Sequence, residues 1–284
     1  MKSNIRGRIR GYLSTAAAAF SLVHVNMLRV ALTLPRASLR SYADAAFKLY
    51  MESRCKDIDF IELGDALRML DVDPVNIRAT LIDLGGYRGR SDWERLFLAL
   101  VARSRASDPC FEIGTAAGNT TVLLAANTAC SVYTLDLPDS GACQPALTLL
   151  GSDDAVRRSR KRAEFIEKYP QASIVELIGD SARFDFTAFR DRIGLFFIDG
   201  AHSIEYVESD TMNAAWCCRE DGVIVWDDFT TTREVTGYIR RLKAEGVQLF
   251  GIRGTRLAFT RDVARLREIS RRVGLGCGGT YHAG

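Results

Sequence analysis

The stretch Phe111-Glu112-Ile113-Gly114-Thr115-Ala116-Ala117-Gly118-Asn119-Thr120 decides the fold: an apolar strand ends in E-x-G-x-x-x-G and opens a helix. Glycines at such a turn let a ligand come close to the backbone beside the helix N-terminus. A pyrophosphate-binding loop would read G-x-G-x-x-G, whereas the middle and last positions here are Ala116 and Asn119. The pattern favours a neutral or cationic nucleoside over a dinucleotide. Glu112, Gly114, Gly118, Asn119 and Thr120 are the candidate cofactor-binding residues around it.

Downstream, short apolar runs at Val132–Leu135, Ile174–Leu177, Gly194–Ile198, Val223–Trp226, Gln248–Ile252 and Leu257–Thr260 alternate with helical patterns. That alternation is the signature of βαβ units and a parallel sheet. The last two runs flank Arg253-Gly254-Thr255 and read as a hairpin. Acids fall at the ends of the runs. Asp136 lies 22 residues after Gly114, where a carboxylate of a nucleotide-binding sheet accepts hydrogen bonds from ribose hydroxyls. Asp180 and Ser181 follow the next run, as ligand contacts at the sheet edge or as a helix N-cap. Asp199 ends Phe196-Phe197-Ile198-Asp199, and Asp227 with Asp228 ends Val225-Trp226-Asp227-Asp228. Neighbouring acids in one cleft repel unless a cation or a proton lies between them. Carboxylate-only ligation points to a hard ion, Mg²⁺ first, with Mn²⁺ or Ca²⁺ open. The bland alternative is that Asp227 or Asp228 caps a helix starting near Thr230. His202, three residues past Asp199, is open between a structural role and contact with a proton or substrate.

Of the 284 residues, 47% are hydrophobic and 26% charged, a globular balance that excludes disorder over the whole length. The net charge of +3 gives no ground for a nucleic-acid partner. Seven cysteines without a C-x-x-C pair fit a reducing, cytoplasmic compartment, with Cys217 and Cys218 packed inside a helix. The apolar stretch from Tyr12 to Pro35 is interrupted by His24, Asn26 and Arg29, so it falls short of the roughly 20 residues of a membrane span. The basic cluster Lys2, Arg6, Arg8 and Arg10 leaves a signal peptide or an interfacial helix as the alternative. Helical spacing over Ala43–Met51, Leu63–Leu70, Pro74–Leu84 and Trp93–Val101 predicts a helical segment for 1–105, serving as a lid or an oligomerisation element. A sheet domain over 106–262 follows, then a C-terminal helix and flexible tail over 263–284. The run Arg157, Arg158, Arg160, Lys161 and Arg162 is expected to be a solvated helix face.

With these residues assembled, 90–261 resembles the class I S-adenosylmethionine-dependent methyltransferases. The segments Phe197–Ser203 and Trp226–Phe229 look like the metal-dependent O-methyltransferases of the macrocin O-methyltransferase type. Asp227 and Asp228 stand 28 and 29 residues beyond Asp199, a spacing that also resembles the catechol O-methyltransferases. Those enzymes end their metal set in Asn and tend to carry lysine where this chain has His202. The resemblance implies a doubly wound, mostly parallel seven-stranded Rossmann-like sheet with one reversed strand. It implies S-adenosyl-L-methionine, with Gly114 and Gly118 near its methionine part, Asp136 on the ribose, and Asp180 with Ser181 by the adenine. It further implies Mg²⁺ on Asp199, Asp227 and Asp228, and transfer of the methyl group to a hydroxyl of a sugar or other small-molecule natural product. His202, or else Asp199, would be the base, and a neutral His202 would make the rate rise through a pH of about 6.5. A homo-oligomer is open. The rival readings are a non-catalytic nucleotide-binding interaction module, a dehydrogenase, and a catechol- or phenol-type O-methyltransferase.

Overall fold

The computed structural model describes residues 50, 52–73, 76–82, 92–139, 141–159, 161, 163–170 and 172–274. Contacts divide the chain between Lys56 and Asp57, and the whole sheet lies in the second unit. The sheet has eight strands: β1 (Asp59–Ile61), β2 (Cys110–Ile113), β3 (Val132–Asp136), β4 (Ile174–Ile178), β5 (Ile193–Ile198), β6 (Cys218–Trp226), β7 (Leu249–Ile252) and β8 (Ala258–Thr260). Their order across the sheet is β1-β7-β8-β6-β5-β2-β3-β4. Every pairing is parallel except those of β8, which runs antiparallel to both β6 and β7. The seven expected strands are all present. The eighth, β1, is a correction: it comes from the segment read as helical and extends the sheet beside β7.

The order follows from composition. β5 is apolar and buried at every position, as a strand covered on both faces must be, and it sits centrally between β2 and β6. β4 has no fully buried position and lies at the edge. Aromatic rings lock the strands below: Phe111 on β2 stacks on Phe196 of β5 at 4.9 Å, and Phe189 meets Phe111 edge-on at 4.9 Å.

Helices join the strands: α1 (Leu63–Met69), α2 (Asp92–Ser104), α3 (Asn119–Ala125), α4 (Gly151–Ser159), α5 (Ile204–Cys217), α6 (Arg233–Ala244) and α7 (Val263–Arg272). None of the described helices is long and apolar enough to cross a membrane. Phe97, Leu98, Leu100 and Val101 of α2 share one core with Val223, Val225, Leu257 and Phe259 of the sheet. α1 and α2 fall in the same compact unit as the sheet.

The helix expected over Pro74–Leu84 does not form across the described residues 76–82. The backbone of Thr80 is instead bound by the Asn127 side chain, which accepts from its N–H at 2.7 Å and donates to its carbonyl at 2.9 Å. Those are the groups a helix would use internally. The expected helix Ala43–Met51, apart from Tyr50, lies outside the described residues, as do the N-terminal leader reading and the tail beyond Gly274.

Candidate active site

Register sets the site. Ile113 pairs with Leu135 on one side and Ile198 on the other, and Ile198 pairs with Trp226. The residues that follow continue the ladder: Gly114 N–H donates to Leu135, Asp199 to Ile113, Asp227 to Ile198, and Gly179 to Asp136. Gly114, Asp136, Gly179, Asp199 and Asp227 thus stand abreast at the carboxyl edge of parallel strands, where open α/β sheets bind ligands.

A cavity of about 180 Å³ opens at this edge. Gly114, Asp136, Ser181, Asp199, His202 and Tyr206 line it, and α4 covers it with Asp153, Val156 and Arg157. Asp136 is nearly buried and accepts from the Ala116 N–H at 3.0 Å, which fixes its carboxylate beside the glycine turn. It ends β3, as its place after the apolar run predicts. Asp180 is held by the loops: it accepts from the backbone of Ala146 at 2.6 Å and Ala182 at 3.0 Å, and from the Tyr206 hydroxyl at 3.0 Å. Burial, with the Asp180 charge second, pushes the Tyr206 phenol upward, so it stays a donor.

Other candidates are placed differently. Glu112 is buried under the turn rather than in the cavity wall, where its carboxylate accepts from Thr121 and, at 2.7 Å, from Thr134. Gly114 and Gly118 both have positive φ, at 99° and 85°. A Cβ on Gly114 would lie 2.0 Å from the Asp199 carbonyl oxygen, and one on Gly118 would lie 2.6 Å from the Ile166 side chain. The close approach that demands glycine here is made by the protein's own chain. Gly118, Asn119 and Thr120 start α3 and do not line the cavity.

The acids separate into two groups. One oxygen of Asp199, one of Asp228 and a ring nitrogen of His202 lie within 4.8 Å of one another, close enough to ligate one ion. Asp227 is outside that set; its Oδ2 lies 3.4 Å from the Arg256 guanidinium, which also donates to Asp228 Oδ1 at 3.0 Å. Of the expected trio, Asp199 and Asp228 thus converge with His202, while Asp227 is engaged by Arg256. The reason is steric as well as electrostatic. Successive residues past a strand end point in different directions, and Asp228 turns back with φ 53°.

His202 bridges two carboxylates, with Nδ1 2.6 Å from Asp153 Oδ1 and Nε2 2.8 Å from Asp228 Oδ2, while its N–H donates to Asp153 Oδ2. Burial works against the imidazolium, but the hydrogen bonds and charges of Asp153 and Asp228 outweigh it, and the pKa is raised to about 10. The same contacts hold Asp153 and Asp228 below the ordinary carboxylate value, burial opposing in both cases. A neutral imidazole titrating near 6.5 is therefore not the state this geometry holds. Asp153, Arg256, Tyr206 and Arg157 were not legible as site residues. Asp153 lies 49 positions from His202, and nothing in its helical neighbourhood marks it.

Arg157 also departs from its reading as part of a solvated face. It is buried, and its guanidinium donates to the carbonyls of Pro138 at 2.8 Å, Asp139 at 3.1 Å and Cys143 at 3.0 Å. Arg158 does behave as expected, exposed and paired with Asp154.

Residues 111–229 match the family model described as a methyltransferase domain. No curated protein matches the chain. Similar solved structures include the O-methyltransferase NovP, 16% identical over 58% of this chain and 76% of that one, with a TM-score of 0.44. An O-methyltransferase from Bacillus cereus in complex with SAH is 16% identical over 70% of this chain and 89% of that one, with a TM-score of 0.41. The matched stretch is the one that supplies the strand-end acids.

Proposed function

We propose that the protein is an S-adenosyl-L-methionine-dependent O-methyltransferase that acts, with a divalent ion, on a hydroxyl of a sugar or other small-molecule natural product. The observation that carries the reading is the single cavity that joins Gly114, Asp136 and Ser181 to Asp199 and His202 at one sheet edge. Its lining sets Asp136, Asp153 and Asp199 against Arg157 and His202, a net acidic wall that suits a cationic sulfonium better than a pyrophosphate. In this reading Asp136 accepts from the ribose hydroxyls, Gly114 borders the methionine part, and Asp180 with Ser181 borders the adenine.

The donor set fits a divalent cation, since two carboxylates and an imidazole converge within reach of one ion. A histidine in the set extends the choice beyond Mg²⁺ and Ca²⁺ to Mn²⁺ and other transition ions. Such an ion supplies Lewis acidity toward the acceptor hydroxyl. The chain does the rest: α4 excludes water from the cavity, and Asp153 fixes the His202 ring so that Nε2 faces the reacting edge. Nε2 serves in one of two ways: as an ion ligand beside Asp199 and Asp228, or, with the ion on carboxylates alone, as the acceptor of the substrate proton, Asp199 being the alternative base.

The test is methyl transfer from labelled S-adenosylmethionine to a panel of hydroxyl acceptors, before and after chelation. Expected is transfer that chelation abolishes and added Mg²⁺ or Mn²⁺ restores, with cofactor affinity unchanged by calorimetry. Transfer that survives thorough chelation removes the ion from the reading, and absence of cofactor binding removes the reading itself.

A further inference from the structure

One turn beyond Tyr206 on α5, Asp210 is sealed from solvent, and neither of its carboxyl oxygens makes a well-formed hydrogen bond among the described residues. It stands directly behind the cavity wall. A Cβ on Gly200 would lie 3.3 Å from Asp210 Oδ2, and the Ser181 hydroxyl comes close enough to favour the charged form of the acid. Gly200 and Ser181 both line the cavity, whereas Asp210 does not. A carboxyl group so deeply buried and so poorly satisfied is most stable without its charge. Burial lifts its pKa to about 7, with the Ser181 hydroxyl opposing and the negative Asp180 adding to the rise. On its own helix, Tyr206 stays a neutral phenol that donates to Asp180. Among the described residues, the other elements packed on α5 (β5, β6, α6 and α7) bring no further charge to bear on Asp210.

We propose that Asp210 is a positioning residue for the cofactor: as a carboxylic acid it donates to Ser181 Oγ and so frees the Ser181 hydroxyl to donate to a ring nitrogen of the adenine. This rests on the reading of Asp180 and Ser181 as the adenine border. A hydroxyl has one hydrogen and two lone pairs, so the neighbour behind it decides what it offers in front. With Asp210 protonated, Ser181 accepts from behind and presents its hydrogen to the cavity. With Asp210 ionised, Ser181 donates backward to the carboxylate and presents only lone pairs, which repel the lone pair of a ring nitrogen. Asp180, held by the Ala146 and Ala182 N–H groups and by Tyr206, offers acceptors alone. Adenine carries an amino donor and ring-nitrogen acceptors. Asp180 and Ser181 together complement both kinds only while Asp210 keeps its proton.

The experiment measures the Kd for S-adenosylhomocysteine by calorimetry on the whole protein, at pH 6 and pH 8.5, for wild type, Asp210→Asn and Ser181→Ala. This thioether has no sulfonium charge, so a new negative charge on Asp210 does not itself attract it. Wild type should bind about tenfold more weakly at pH 8.5, the worth of one hydrogen bond. Asp210→Asn carries a donor of the same shape at every pH, so its affinity at pH 8.5 should equal that at pH 6. Ser181→Ala has no hydroxyl to turn, so it should bind more weakly than wild type at pH 6 and show no further fall. Groups that titrate elsewhere, the ligand's own amino group among them, are common to all three proteins, so the difference between the profiles reads Asp210. Equal wild-type affinity at the two pH values, or a folded Asp210→Asn that keeps the wild-type fall, overturns the inference. If Asp210→Asn does not fold, Ser181→Ala decides alone, and a fall as steep as that of wild type overturns it. Wild-type protein that binds no S-adenosylhomocysteine at either pH overturns the cofactor reading, and the inference with it, which is a result distinct from binding that ignores pH.

Discussion

Gly114 shows how tightly single residues are held at this edge. Its φ of 99° belongs to glycine, and the Asp199 carbonyl oxygen fills the place of a Cβ. Gly114→Ala should cost at least ~2 kcal/mol, from backbone strain plus the displaced Asp199 strand end. Urea unfolding checks the loss, and a variant as stable as wild type would contradict the geometry. His202 carries a second expectation, for the metal-free protein. Its folded pKa of about 10 lies above the ordinary 6.5. The contribution of its ion pairs is therefore complete below about pH 6.5 and disappears as pH rises through 10. With chelator present, His202→Gln should lower stability by about 1.5–3 kcal/mol at pH 6, the usual worth of charged hydrogen bonds, and by much less at pH 10.5. Equal losses at the two pH values would show that His202 is neutral in the folded protein.

Among the elements, α4 and the loop before it behave as one cover over the cavity. Arg157 ties three loop carbonyls to the helix, and Asp153 ties the helix to His202. Arg157→Met keeps the stem and removes the ties. It should destabilise the protein by about 1–3 kcal/mol, since buried carbonyls lose a charged donor. Amide exchange over 138–147 should rise while that of β5 stays slow, because the loosening is local. Unchanged exchange in the loop would show that Arg157 is not what holds it. The same element shows a limit of periodicity. A basic run reads as a solvated face in the sequence, yet Arg157 faces inward because loop carbonyls converge there, and those lie at positions 138 to 143.

For the whole molecule, the placement of α2 in the sheet core means that the sheet does not stand alone. Burying Phe97, Leu98, Leu100 and Val101 contributes together about 6–12 kcal/mol at the usual 1.5–3 per large apolar side chain. That is comparable with the ~5–15 kcal/mol that holds a domain folded. Residues 105–284 expressed alone should lack near-ultraviolet dichroism and a cooperative melting transition. A cooperative, active fragment would mean that α2 is dispensable to the core.

Local sequence determined the seven strands from Cys110 to Thr260, because period and apolar runs report burial without knowledge of neighbours. It also determined the acids at the strand ends, because parallel strands bring all their carboxyl ends to one edge whatever the details of packing. Asp136, Asp199 and Asp228 were legible for that reason. The tertiary structure decided the rest. β1 needs the open flank of β7 before three residues pair as a strand, and helical spacing around it concealed the pairing. Asp153 and Arg256 reach the site from 49 and 28 residues away through side-chain contacts that no periodicity encodes. Whether Asp227 or His202 comes together with Asp199 and Asp228 depends on the direction of side chains past a strand end. Sequence spacing fixes where a carboxylate stands along the edge, and only the packed neighbours, Arg256 and Asp153, fix which way it faces.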